Sequence, residues 1–195
     1  MKTTLLTSSV ACFGLTLCVD CGSAEPVGED PDLLGSEENA VTIAGHTCGV
    51  VLSGATGREP NRQIPVCCRP TTGEKNQINA VFNLLNQHRA ANGRAALSYS
   101  TNLQRAIQGH CLHMSLHPFF SHTAPEAAIS SPWTRANKCG TTANGENIAA
   151  GYATPAAVMN GWKNSSGHNA NMLNSGFKRV GICRVGNNWG QIFGY

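Results

Sequence analysis

Six cysteines, Cys48, Cys67, Cys68, Cys111, Cys139 and Cys183, remain in this chain once an N-terminal leader carrying Cys12, Cys18 and Cys21 is set aside. An even set in an exported chain reads as three disulfides, which tie a small domain together by limiting the freedom of the unfolded state. Six cysteines allow 15 pairings, and spacing alone selects none of them. Cys67 and Cys68 are not expected to bond to each other, because a bridge between neighbours strains the peptide that joins them. No pair has the short C-x-x-C spacing of zinc ligands, so a structural metal is the weaker account.

The export reading rests on residues 1–24. Lys2 supplies a positive start, and Leu5, Leu6, Val10, Ala11, Phe13, Leu15 and Leu17 an apolar run. Small residues at Gly22, Ser23 and Ala24 place cleavage near Ala24. The run is short and broken by Thr and Ser, unlike a bilayer span, and no other segment is apolar enough to cross. The expected location is extracellular, with a lipid anchor at the cell surface through Cys18 or Cys21 as the alternative. Residues 25–40 then form an acidic tether: Glu25, Glu29, Asp30, Asp32, Glu37 and Glu38 stand there with no basic residue.

Charge reverses in the rest of the chain. From Thr71 onward there are three acids, Glu74, Glu126 and Glu146, against ten Lys and Arg, so 10 minus 3 gives +7. A basic surface can meet anionic lipid, polysaccharide or nucleic acid, but ordinary solvation is the plainer reading of these charges. The bases are scattered and not interleaved with aromatics, so nucleic acid is not an expected partner. With 41% hydrophobic and 13% charged residues the chain carries enough apolar surface for one core. A monomer is expected.

Residues 41–75 read as an extended arm stapled to the domain by Cys48, Cys67 and Cys68. The domain proper covers residues 76–195. Thr71-x-x-Glu74 is a capping box, followed by Ile78, Val81, Phe82 and Leu85 at helical spacing and Gly93 as a stop. A second helix starts at Ser100 or Thr101, buries Leu103, Ala106, Ile107, Cys111 and Met114, and halts at Pro118. Pro132 and Pro155 open further helices. Strands are expected at 147–150, 180–185 and 189–193, the last two joined through Gly186-Asn187-Asn188. The fold class is α+β, with helices outside a small central antiparallel sheet.

Three polar residues stand at element ends: His122 after Phe119-Phe120-Ser121, Glu146 in Gly145-Glu146-Asn147-Ile148, and His168 after Ser165-Ser166-Gly167. Two imidazoles and a carboxylate can bind zinc and leave a fourth position for water. They can equally form a hydrogen-bonded network that holds loops together. His110, His113 and His117 lie near helical spacing on the second helix and are expected at its solvated rim, although a 113/117 pair is spaced to chelate. No G-x-S-x-G elbow or Gly-rich phosphate loop occurs.

Five segments occur in order: FFSHTAP (119–125), GENIAAG (145–151), WKNSSGHNANML (162–173), FKRVG (177–181) and WGQIFG (189–194). Together they resemble the CAP superfamily of cysteine-rich secretory proteins, antigen five and pathogenesis-related proteins, in its bacterial SCP-like branch. The resemblance covers roughly residues 76–195. It implies a CAP-type α-β-α sandwich whose cleft is lined by two His and two Glu able to hold a divalent metal. His122, Glu146 and His168 match three of those positions. The second Glu is expected on or just after the helix of Trp162, where no acid lies from Pro155 to His168, so weak affinity for zinc or another divalent cation is expected. The functional expectation is a secreted, non-enzymatic module that binds a lipid, peptide or surface glycan. A zinc-assisted hydrolase is the alternative.

Overall fold

A computed structural model of the chain describes residues 40–54 and 62–195. The leader (1–24) and all but the last residue of the acidic tether (25–40) lie outside the described residues. Among the described residues no helix is long and apolar enough to cross a membrane.

Three short strands come first: β1 (Val41–Ile43), β2 (His46–Gly54) and β3 (Arg62–Cys68), paired antiparallel in that order. Ala44 and Gly45, both at positive φ, turn β1 into β2. The expected arm is therefore a sheet. Cys48–Cys68 closes it on itself and Cys67–Cys139 fastens it to the domain. Cys67 stands at positive φ, which breaks the strand's alternation: it packs with Ile64 and Val66 while Cys68 packs with Cys48, so the two neighbours reach different partners.

The domain begins with α1 (Thr72–Ala91), which carries the expected reciprocal Thr71/Glu74 capping box. Then follow β4 (Ser98–Tyr99), α2 (Thr101–Leu116), a 3-10 turn (Ala127–Ile129), α3 (Pro132–Lys138) and β5 (Gly145–Ala150). The chain closes with α4 (Pro155–Lys163), α5 (Ser166–Leu173), β6 (Arg179–Val185) and β7 (Asn188–Gly194). The second sheet has the order β4-β6-β7-β5. Its long strands are antiparallel as expected, but the two-residue edge strand β4 runs parallel to β6. That strand is too short to leave a periodic signal.

Alternation along the strands builds the sandwich. Val180 and Ile182 of β6, with Trp189 and Phe193 of β7, pack under α1, α4 and α5. Cys183, Val185 and Ile192 face the other way, toward Leu103, Ile107 and Cys111 of α2 and Ala136 of α3. The Cys111–Cys183 disulfide ties α2 to β6. The far side of α2 meets the N-terminal sheet: a β-carbon on Gly109 would sit 3.0 Å from the Val66 backbone. Residues 103–114 are consequently buried all round the helix, including His110 and His113. This corrects the expectation of one apolar stripe with a solvated histidine rim. A helix packed against two sheets has no wet side, and sequence periodicity anticipates only one packing face.

One ion pair joins the N-terminal sheet to the domain. His46 Nδ1 lies 3.0 Å from the Ala44 carbonyl, and its Nε2 lies 3.0 and 2.9 Å from the two Glu74 oxygens. Carbonyl and carboxylate oxygens only accept, so the contacts at both nitrogens of this buried ring favour its doubly protonated, charged form. The Glu74 hydrogen bond outweighs the opposing effect of burial and holds the His46 pKa above 6.5. Glu74 also accepts from Thr71 N at 2.8 Å and Gln108 Nε2 at 3.2 Å, so the N-terminal sheet, α1 and α2 meet at a single carboxylate.

Candidate functional site

The site forms where the loop after α2, the start of α3 and edge strand β5 come together. Alternation decides which residue faces where. Glu146 turns to the α2/α3 side, and Asn147 turns to the α4/α5 side, where its Nδ2 donates to Gln191 Oε1 at 3.0 Å and the His168 carbonyl at 3.1 Å. Asn171 of α5 completes the tie, donating to Asn147 Oδ1 at 2.9 Å and the Glu146 carbonyl at 3.3 Å.

Glu146 is the centre. Its side chain is 2% exposed; Oε1 lies 2.8 Å from His122 Nδ1 and Oε2 2.6 Å from the Arg135 guanidinium. Burial alone pushes the carboxyl pKa up. The His122 hydrogen bond and the Arg135 charge more than offset this and hold it below the usual carboxylate range. Arg135, 1% exposed, also donates to the carbonyls of His122 and Ile129, both at 3.1 Å. One guanidinium thus holds the carboxylate and the backbone of the histidine loop together. The His122 ring remains 51% exposed.

The structure brings His122 and Glu146 into direct contact. His168 stands on α5 beyond the sheet edge, half-buried; burial first, and then the His122 charge, lower its pKa below 6.5. Among the described residues no three His, Cys, Asp or Glu side chains are placed to hold a metal ion together. Both Glu146 oxygens are engaged, one by His122 and the other by Arg135, so in this arrangement the carboxylate serves as an ion-pair and hydrogen-bond partner. No acid takes the second Glu position after Trp162, where Asn164 and Ser165 follow. The remaining acid on the α2 side, Glu126, lies 3.4 Å from His113. Ser165 precedes α5 without a side-chain capping bond.

Sequence reasoning missed Arg135, Asn147 and Asn171. For Arg135 a signal existed: a carboxylate in a strand with apolar neighbours needs a cation, and Arg135 and Lys138 are the nearest bases before Glu146. The amides carried no such signal, because Asn is common in loops.

A model of the cysteine-rich secretory protein family, CAP, matches residues 82–193. The chain belongs to this family. It is 31% identical over 131 residues to YkwD of Bacillus subtilis, covering 63% of this chain and 50% of that protein. It is 30% identical over 112 residues to YlbC, a membrane protein of the same organism, covering 57% and 31%. The chain therefore spans half or less of the curated relatives it matches. An extracellular SCP-domain protein of Bacillus anthracis superposes with a TM-score of 0.59 at 26% identity, over 64% of this chain and 44% of that one. An outer surface protein of Borrelia burgdorferi, at 19% identity, shares the fold with a TM-score of 0.56, over 62% and 92%. This is a bacterial-type CAP domain, and the three-stranded sheet (β1–β3) of residues 41–68 lies outside the family match.

In this protein, histidines whose pKa values shift in opposite directions shape the response to pH. His110 Nε2 donates to the Ser121 carbonyl, 2.9 Å away, and burial followed by the Arg135 charge lowers its pKa to about 4. Its neutral form is thus favoured by folding: stability is present above pH 6.5 and is lost as pH falls toward 4. The lowered His168 adds to this acid limb. His46 acts oppositely, with stability present in full below pH 6.5 and lost as pH rises through its raised folded value. Denaturant unfolding between pH 4 and 9 is expected to show greatest stability near pH 6.5. His110→Gln is expected to flatten the acid limb and His46→Gln the alkaline one. An alkaline limb unchanged by His46→Gln would disprove the charged-ring assignment.

Proposed function

We propose that this protein is an exported binding module, not an enzyme, and that the Glu146–Arg135 pair, through the His122 backbone carbonyl, holds the loop that shapes the surface it presents. The observation that carries this reading is the complete engagement of Glu146, with one oxygen on His122 and the other on Arg135. A carboxylate so held is a poor general base, because taking a proton would break a buried ion pair. The arrangement also supplies no activated nucleophile beside the imidazole. It fixes the loop from Phe119 to Ala124 against α3 and β5, which suits a rigid recognition surface for a lipid, peptide or surface glycan. Three disulfides and the extracellular or surface settings named for two structural neighbours support a secreted or surface-held location. Zinc or another divalent ion is an optional occupant near His122 and His168 and is not required for the loop geometry.

The test pairs a binding screen with an activity screen. The exported protein is offered vesicles, peptides and glycans, and separately peptide, ester and phosphodiester substrates with zinc, manganese or calcium. Saturable binding to one class is expected, changed less than about threefold by His122→Ala, with no turnover. Turnover abolished by His122→Ala, or loss of all binding in that variant with the fold intact, would overturn the reading.

A further inference from the structure

The three disulfides differ in how far solvent can reach them. Cys48, Cys68, Cys111 and Cys183 are fully buried, which shields both the bridge inside the N-terminal sheet and the bridge from α2 to β6. Cys67–Cys139 stands apart. Cys139 caps the end of α3 and is only partly buried, with Asn137, Lys138 and Gly140 exposed around it. An attacking thiol can therefore approach the Cys139 sulfur, while Cys67 is shielded.

Cys67 is also held in an unusual backbone conformation. Its φ is 55°, in the left-handed region that a residue with a β-carbon seldom occupies. Among the described residues the other such non-glycine is Ala44, which needs that conformation to turn β1 into β2. Cys67 instead lies within β3. A disulfide that is both reachable and strained at one end belongs to the labile kind, whereas buried bridges resist reduction.

The elements this bridge joins give its lability a consequence. On one side is β3, whose Ile64 and Val66 share a buried cluster with Ala124 and Ile129, against which Phe119 and Cys139 also pack. The N-terminal sheet is thus a floor beneath the loop that carries His122. On the other side is α3, whose Arg135 holds the carbonyls of His122 and Ile129 and one oxygen of Glu146. Floor and clamp are joined covalently at Cys67–Cys139. The floor has attachments of its own that do not depend on this bond: Cys48–Cys68 closes the sheet, and His46 pairs with Glu74.

We infer that Cys67–Cys139 is a redox switch on the His122 loop, opened by a dithiol reductant and closed again by oxidation. It rests on the binding-module reading for its purpose, because the loop from Phe119 to Ala124 is the recognition surface there. In the opening step a thiolate of the dithiol attacks Cys139 Sγ, forms a mixed disulfide and expels the Cys67 thiolate, which takes up a proton. The second thiol of the reductant then attacks its own sulfur in the mixed disulfide. The reductant leaves as a disulfide and Cys139 as a thiol, so two electrons and two protons pass to the protein. Reduced Cys67 can leave the left-handed region, and α3 loses its covalent hold on β3.

The full exported chain is incubated with graded ratios of reduced to oxidised dithiothreitol and alkylated, and each cysteine is followed by mass spectrometry. Cys67 and Cys139 are expected to be alkylated about tenfold faster than the other four bridged cysteines. Amide hydrogen exchange is then compared between the oxidised and the selectively reduced protein. Exchange in residues 119–124 and 132–138 is expected to rise roughly fivefold, with β6 and β7 unchanged. The variant Cys67→Ser, Cys139→Ser is expected to show the same rise without reductant. If that variant is not exported, the selectively reduced parent supplies the measurement by itself. Reduction of Cys48–Cys68 or Cys111–Cys183 before or together with Cys67–Cys139 would overturn the inference. So would selective reduction that leaves exchange in residues 119–124 unchanged, which would make the bridge a structural tie only. Neither readout needs a ligand, so an empty binding screen counts against the binding-module reading and not against the switch.

Discussion

Arg135→Ala is expected to destabilise the protein by roughly 3–5 kcal/mol, the usual cost of leaving one member of a buried ion pair alone. Three consequences of the change act together. Glu146 keeps only the His122 hydrogen bond for a carboxylate that is 2% exposed. The carbonyls of His122 and Ile129 each lose a charged donor. A guanidinium-sized space opens between α3 and β5. Denaturant titration measures the loss. The double variant Arg135→Ala, Glu146→Gln is expected to recover part of it, because a neutral amide removes the uncompensated charge. A fall below about 1 kcal/mol in the single variant would show that the pair does not hold the loop. The rise of the Glu146 pKa in Arg135→Ala is a second readout: the share of stability that Glu146 loses on acidification in the parent shrinks or reverses in the variant.

Gly181→Ala is expected to abolish folding to the native state. A β-carbon at this position would overlap the backbone of Leu103 and Gln104 in the first turn of α2. Backbone cannot rotate away as a side chain can, so α2 would have to lift from β6. It is held there by the Cys111–Cys183 disulfide and by the packing of Leu103 and Ile107. Secretion yield and thermal unfolding check this. The contrasting change Gly167→Ala, where a β-carbon meets nothing within 4 Å, is expected to be tolerated. Native-like stability of Gly181→Ala would show that α2 can shift on the sheet.

Much of the architecture was legible because it depends on local chemistry. The capping box at Thr71, the prolines at 132 and 155 and the turn at Gly186 each act over a few residues, and the elements they begin or join stand where expected. The parallel pairing of β4 was not legible, since Ser98 and Tyr99 form a strand only because Val180 offers them a ladder. The burial of His110 and His113 was hidden for a similar reason. Their helix lies between two sheets, and one of those comes from a segment with few apolar residues of its own.

The candidate site divides along the same line. That His122 and Glu146 belong together could be expected from their motifs, and they meet at 2.8 Å. The Arg135 clamp, the Asn147–Asn171 tie and the placement of His168 round the edge of β5 depend on which face each strand residue takes and which helix covers it. The amino-acid order alone determined the helix and strand seeds, the even cysteine set and the family of the chain, because each is a property of short segments. Tertiary structure alone decided the three cysteine pairings and the burial of Glu146. Those outcomes depend on distances between residues far apart in the chain, and such distances exist only once the layers have packed.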